Sequence, residues 1–305
     1  MEVPEAKAAS ACGKNRVIRE ISLSGCRMIG KGDKASVYRY DDELVIKVYN
    51  GKSTLQDVER EIEMSRKAFV LGLPTAISFG IVKVEGHGYG SMFELLEADT
   101  VSQLIARHPE DAGIYAAEMA GLAKRIHHTE VRAGTLRDGQ KIMEEWIDTG
   151  IGRINPALGT RLLKMIRELP ETCRIVHGDF HTGNVFRRRG ELMLIDMDRM
   201  GTGNPVVDFS LLYLAYIGFG ELDPGSIKEY MGFSYETAKE FYRRFCEAYF
   251  GAGEERIREA SGKAALMCYT RMVSRLMREG RAVPEMLPRR IEELAGEVRD
   301  LVICE

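Results

Sequence analysis

Histidine is scarce, and cysteine follows no ordered pattern. The six histidines, His87, His108, His127, His128, His177 and His181, all fall within the first 181 of 305 residues. A metal centre that draws histidines from across the chain is therefore poorly supplied. The six cysteines (Cys12, Cys26, Cys173, Cys246, Cys268 and Cys304) include no CxxC pair. That argues against a structural zinc site and a disulfide scaffold, and free thiols fit a reducing cytoplasm. No apolar run approaches the length of a membrane span, and the opening "MEVPEAKAASACGKNR" has no signal-peptide core. Residues 1–20 read as a loose tail. Positive charge is not in excess: the formal net charge is −3, so no broad basic field invites nucleic acid or an anionic membrane. The oligomeric state is not legible.

What is present is an apolar supply sufficient for a real core, with 45% hydrophobic and 29% charged residues. Short runs rich in β-branched and aromatic residues, "ISLSGCRMI", "SVYRY" and "ELVIKVY", predict strands over residues 21–49. "STLQDVEREIEMSRKAFVLG" predicts a helix, with Ser53 as its N-cap and Gly72 as its terminator. "AISFGIVKV" and "GSMFELLEA" predict two more strands. From Thr100 onward the apolar spacing becomes helical in "VSQLIARH", "AGIYAAEMAGLAKRIHH" and "ALGTRLLKMIREL". Strand signals return only as "RIV", "NVFRR" and "ELMLID". The pattern predicts an α+β chain, divided near Glu97–Asp99 into a β-rich part (1–97) and a mostly helical part (98–305).

The densest chemistry is "IVHGDFHTGNVF", residues 175–186. As a metal cluster, H-x-D-x-H has three ligands in five residues, but it leaves Asn184 and the following "LMLIDMD" without a role. As a polar turn it needs no chemistry at all. Phosphoryl transfer uses more of the residues. Asp179 can orient a hydroxyl and take its proton. ATP phosphates need magnesium, which prefers oxygen ligands. Asn184 supplies an amide carbonyl and Asp196, at the end of an apolar strand, a carboxylate. A strand–loop–strand hairpin would bring the two together.

"HGDFHTGNVF" followed by "LIDMDRMGTGNPVVDF" resembles the aminoglycoside phosphotransferase and choline kinase group, enzymes with a protein-kinase-like fold. The resemblance implies two lobes with ATP and Mg2+ in the cleft between them, and a small-molecule alcohol as acceptor. It also implies what the first part should hold. "IGKGDKASV" sets Gly30, Gly32, Ala35 and Val37 as a phosphate-covering loop, and Lys47 in "LVIKVY" as the phosphate-gripping lysine. Glu59, Glu61 and Glu63 are the acidic partners on offer; similarity to the family's V-E-R-E run selects Glu61. The backbone of Glu94–Leu96 would meet the adenine edge, with Phe93 at the back of the pocket.

Other polar residues receive structural readings. His177 is expected to support the loop rather than to react, and His181 is left without a role. Asp198 ranks second to Asp196 at the metal. Asp208 is expected to brace the loop from the next helix, and His127–His128 to end a helix as favourable cations. "RRR" at 187–189 reads as a solvated hairpin turn, and Trp146 as core or pocket wall. Only "MDRMGTGN", residues 197–204, separates Asp196 from Pro205, the expected first helical residue. That is too short for a peptide platform, which points to a small acceptor. A nucleotide-binding protein without transferase activity is the alternative.

Overall fold

Between Arg19 and Glu94 the β-branched and aromatic runs form one sheet, because each can bury one face while its turns stay wet. The computed structural model describes residues 18–32, 35–51, 53–251 and 253–304. The predicted N-terminal tail lies mostly outside them. The strands are β1 (Arg19–Ile21), β2 (Arg27–Lys31), β3 (Ala35–Arg39), β4 (Leu44–Tyr49), β5 (Ser78–Val84) and β6 (Gly88–Glu94), in spatial order β1-β5-β6-β4-β3-β2. Only the β1–β5 pair is parallel. Helix α1 (Leu55–Val70) lies against this sheet, and Val58 and Ile62 pack with Ala35 and Tyr49. Its cap is Thr54, not the expected Ser53. Thr54 accepts from the Asp57 backbone N–H and Asp57 answers the Thr54 N–H, a reciprocal box that needs an acceptor three residues on.

The remainder is helical with two small three-stranded sheets. In order come β7 (Asp99–Thr100), α2 (Val101–Arg107), α3 (Ala112–His128), β8 (Arg137–Asp138), α4 (Gly139–Thr149), α5 (Ile151–Ile154) and α6 (Pro156–Arg167). Then follow β9 (Ile175–Val176), β10 (Val185–Arg188), β11 (Glu191–Leu194), β12 (Gly201–Thr202), α7 (Val206–Tyr213) and α8 (Phe219–Leu222). The chain ends with α9 (Pro224–Met231), α10 (Tyr235–Phe250), α11 (Glu254–Arg278) and α12 (Met286–Glu297). The two sheets are ordered β11-β10-β7 and β8-β12-β9. Pro205 caps α7 instead of opening it. One large apolar core joins these helices, with α3 packed on α10 and α11 on α7, α4 and α12. No described helix is long and apolar enough to cross a membrane.

Two features of this lobe position the chemistry. The β10–β11 hairpin turns at Arg189 and Gly190, both at positive φ. The hairpin turn is where the sequence suggested and Arg189 is exposed there, but the other two arginines are paired: Arg187 with Glu118 at 3.0 Å and Arg188 with Glu94 at 2.5 Å. The second feature is the seam to the first lobe. The Leu194 N–H donates to the Pro74 carbonyl at 2.6 Å, and the Ala76 N–H to the Leu194 carbonyl at 3.2 Å. The seam thus anchors β11 two residues before Asp196.

Candidate active site

The site begins with a lysine in the middle of a sheet. Lys47 sits in β4 between Val37 of β3 and Ser91 of β6. Its ammonium lies 2.8 Å from Glu61 Oε1 and 2.9 Å from Asp196 Oδ1. Glu61 is buried on the inner face of α1, and its other oxygen accepts from the Tyr49 hydroxyl, which also meets Ser91 Oγ at 2.8 Å. Neither Tyr49 nor Ser91 was singled out from sequence. Their signal was present, since Tyr49 follows Lys47 by two and so shares its face of the strand. Glu59 and Glu63 are exposed, and Glu63 pairs with Lys67 instead.

Charge explains how this group is held. Burial opposes the charge on Lys47, but Asp196 and Glu61 outweigh it and hold its pKa above the ordinary lysine value. Burial pushes Glu61 up, against the pull of Lys47, and a second carboxylate, Asp196, adds to the rise. Asp196 goes the other way: burial alone would raise it, and the Lys47 ammonium reverses that.

The catalytic-loop candidates sit on the second lobe. β9 delivers the chain to His177, and Gly178 turns it at φ +78°. A Cβ at Gly178 would lie 2.5 Å from the Arg199 carbonyl oxygen, so only glycine allows this approach. Asp208 braces the turn from α7: one oxygen accepts from the His177 N–H at 2.8 Å, the other from the Gly178 N–H at 2.7 Å. His127 Nε2 stands 3.0 Å from the same carboxylate and its Nδ1 is 2.7 Å from the Tyr249 hydroxyl. His127 is thus a buried structural partner, where the sequence suggested a helix-terminal cation. The His177 ring accepts from the Asp179 N–H at 3.2 Å. His181 caps the next turn by accepting from Gly183 N–H, and Tyr230 lies 3.4 Å from its Nε2. Burial lowers the His181 pKa.

Asn184 and Asp196 are brought together as the sequence anticipated. The pairing Val185–Leu194 closes the β10–β11 hairpin, and the Ile195 N–H donates to the Asn184 carbonyl at 3.0 Å. The Asn184 side-chain amide donates to the Asp179 carbonyl at 3.0 Å, which ties the loop to the hairpin. Asp196 adopts a left-handed backbone, φ +61° and ψ +55°, uncommon for a residue other than glycine and a mark of a position fixed by its surroundings. Among the described residues no three His, Cys, Asp or Glu side chains gather into a metal cluster. The pair Asn184 and Asp196 offers hard oxygens only. That donor set fits magnesium completed by phosphate and water. Asp179 carries a partner unforeseen from sequence, Arg199 Nη1 at 3.7 Å.

The remaining candidates lie at the rim. Gly30 pairs with Val37 in the β2–β3 hairpin, and the Gly32 N–H donates to the Ala35 carbonyl at 2.8 Å. Phe93 and Glu94 end β6, and buried Leu96 follows as the chain passes between the lobes. The Glu94 side chain turns to Arg188, and the Glu94 and Leu95 N–H groups donate to the Ile77 and Glu43 carbonyls at 2.9 and 2.7 Å.

Comparison with known proteins agrees with this architecture. The profile of the Phosphotransferase enzyme family matches residues 26–260, well over half of the chain. The chain belongs to that family. Among solved structures, it is similar to aminoglycoside phosphotransferase APH(2'')-Ib in an ADP-bound form, at 19% identity and a TM-score of 0.54. That match covers 91% of this chain and 94% of the other. Amicoumacin kinase hAmiN, solved with AMP-PNP, Ca2+ and Ami, is 16% identical with a TM-score of 0.58, over 94% and 92% of the two chains. A thermostable mutant of aminoglycoside phosphotransferase APH(4)-Ia, in a ternary complex with ADP and hygromycin B, is 12% identical with a TM-score of 0.59, over 89% and 93%. No curated protein matches the sequence. At these identities the likeness establishes the two-lobed kinase-like fold.

Proposed function

We propose that this phosphotransferase moves the γ-phosphoryl group of ATP to a hydroxyl of a small molecule. The observation that carries the reading is the bridge from Lys47 to both Glu61 and Asp196, across the cleft, beside the Asp179–Asn184 loop. Residues 1–97 form the nucleotide lobe and 98–305 the acceptor lobe in this reading. It is supported by β6 ending at Glu94 and by β7, from Asp99, pairing with β10. Gly30, Gly32, Ala35 and Val37 cover the phosphates, and the backbone of Glu94–Leu96 with Phe93 receives the base. Lys47, held by Glu61, grips the phosphates. Asn184 and Asp196 hold magnesium, which neutralises phosphate charge when bound. Asp179 orients the acceptor hydroxyl and receives its proton.

The segment after Asp196 supports a small acceptor. Gly201 pairs with both Val176 and Arg137, and the Gly203 N–H donates to the Arg174 carbonyl at 3.0 Å. The short stretch is fastened into a sheet, with no span left to lay out a peptide. The test is ADP formation by the purified, unphosphorylated chain with ATP, magnesium and a panel of small alcohols, against generic protein substrates. Turnover with proteins and with no small molecule would overturn the acceptor assignment.

A further inference from the structure

Arg271 of α11 is a cation without an anion. Its guanidinium lies 5.4 Å from the centre of the Trp146 ring. Its Nη1 is shielded from solvent and has no hydrogen-bond partner, and it forms no ion pair among the described residues. A half-buried guanidinium in that state is costly unless something supplies the missing charge. The Trp146 ring offers the guanidinium a cation–π contact but no acceptor for its N–H groups, and an oxyanion would supply one.

The neighbourhood is that of the acceptor. β8 leads directly into α4, which carries Trp146, and β8 pairs with β12 at Gly201, two residues past Arg199. Arg199 itself reaches Asp179. Arg271 feels both groups: burial and the Arg199 charge press its pKa down to about 10, while Asp179 pulls it up. Arg199 has Asp179, Asp198 and Asp196 around it, so its charge is met. Glu221, the other carboxylate near this end of α11, already accepts from the Tyr213 and Tyr269 hydroxyls on its two oxygens. Among the described residues Arg271 forms no ion pair, and Asp179, the carboxylate that raises its pKa, already meets Arg199.

We propose that Arg271 receives an oxyanion of the acceptor, so that the molecule phosphorylated is an alcohol bearing a carboxylate or phosphate group and not a polycation. This deepens the phosphotransferase reading and rests on it. In the transfer, the acceptor hydroxyl oxygen bonds to the γ-phosphorus. The bond from that phosphorus to the β–γ bridging oxygen breaks, ADP leaves with the electron pair, and the hydroxyl proton passes to Asp179. The oxyanion at Arg271 does not react; it sets which hydroxyl points at Asp179.

Trp146 is the only tryptophan and the Arg271 guanidinium lies over its ring, so its emission reads changes at this contact. With ADP and magnesium filling the nucleotide site, the full chain is titrated with inorganic phosphate, glycerate and glycerol phosphate, and with glycerol and kanamycin as neutral and cationic controls. The anions should give a saturable change that the controls do not. Arg271→Gln should weaken it by at least about tenfold, the least expected for removing one partner of a buried charge pair. Arg271→Lys, which keeps charge but loses the fork, should fall between the two. Nucleotide binding by each variant reports folding, and the lysine variant keeps the test open if the glutamine variant does not fold. A flat response to all three anions, or an unchanged one in a folded Arg271 variant, overturns the assignment. ADP formation is followed with the same compounds: turnover of kanamycin with none of the anions would also overturn it. Absence of magnesium-dependent nucleotide binding would instead sink the phosphotransferase reading, and the anion titration would still report on Arg271.

Discussion

Replacing Asp179 by asparagine keeps the size of the side chain and removes its capacity to take a proton. Asp179→Asn should retain ATP binding and lose at least about a hundredfold in turnover, the range for losing general-base help. Near-normal turnover would remove Asp179 from the mechanism. Lys47 and Glu61 make a graded pair. Lys47→Ala removes the charge proposed to grip the phosphates and should cost on the order of 10²–10³ in turnover, while Glu61→Gln should only loosen the lysine and cost less. A larger loss at Glu61 than at Lys47 would reverse those roles. Asp208 belongs to stability. It is buried, accepts two backbone N–H groups and meets His127. Burial would raise its pKa, and the His127 contact and backbone bonds bring it below the ordinary 3.8. A depressed carboxylate stabilises the fold fully above its unfolded value, and that contribution is lost as pH falls through the folded value. Acid denaturation curves should therefore show wild type losing this contribution only below about pH 4, where the unfolded group begins to protonate. Asp208→Asn should lose about 3–5 kcal/mol at neutral pH. Equal urea midpoints for the two proteins at pH 7 would contradict the account.

At the scale of elements, the loop between β9 and β10 depends on Gly178. The combination of φ +78° and a 2.5 Å approach of a would-be Cβ to the Arg199 carbonyl has no room for alanine. Gly178→Ala should lower the melting temperature and misplace Asp179, with left-handed strain of about 1–2 kcal/mol before any clash. A variant with unchanged melting and unchanged turnover would show that the loop tolerates a shift. Much at this scale was legible beforehand. Strand and helix patterning exposed β3 to β6, α1 and α3, since burial of one face writes itself into spacing, but the run 21–29 that reads as one strand is the end of β1, a turn at Gly25 and the start of β2. The cap at Thr54 was missed by one residue because Ser53 and Thr54 are chemically equal as caps, and only the partner Asp57 decides. His127 was misread because its role depends on Asp208 and Tyr249, 81 and 122 residues away. Arg199 and Arg271 gave no local signal for the same reason: ion pairing and its absence are properties of the folded surroundings.

For the whole molecule, the contacts that join the two lobes include the Pro74–Leu194–Ala76 backbone seam, the Arg188–Glu94 ion pair, Lys67 donating to the Thr135 carbonyl, and Lys47 reaching Asp196. The last of these places the nucleotide candidates of one lobe against the metal candidates of the other. Nucleotide phosphates that engage Lys47 and magnesium that engages Asp196 would replace that direct pair, so both ligands act at one junction. The central claim is γ-phosphoryl transfer at this junction. It is tested most directly by incubating the wild-type chain and Asp179→Asn with γ-labelled ATP, magnesium and the small-alcohol panel, and following the label. The account predicts label on at least one small molecule, dependence on magnesium, and loss of transfer in a variant that still binds ATP. Tight magnesium-dependent ATP binding with label never leaving the nucleotide, in either protein, would contradict it and identify a nucleotide-binding protein without transferase activity.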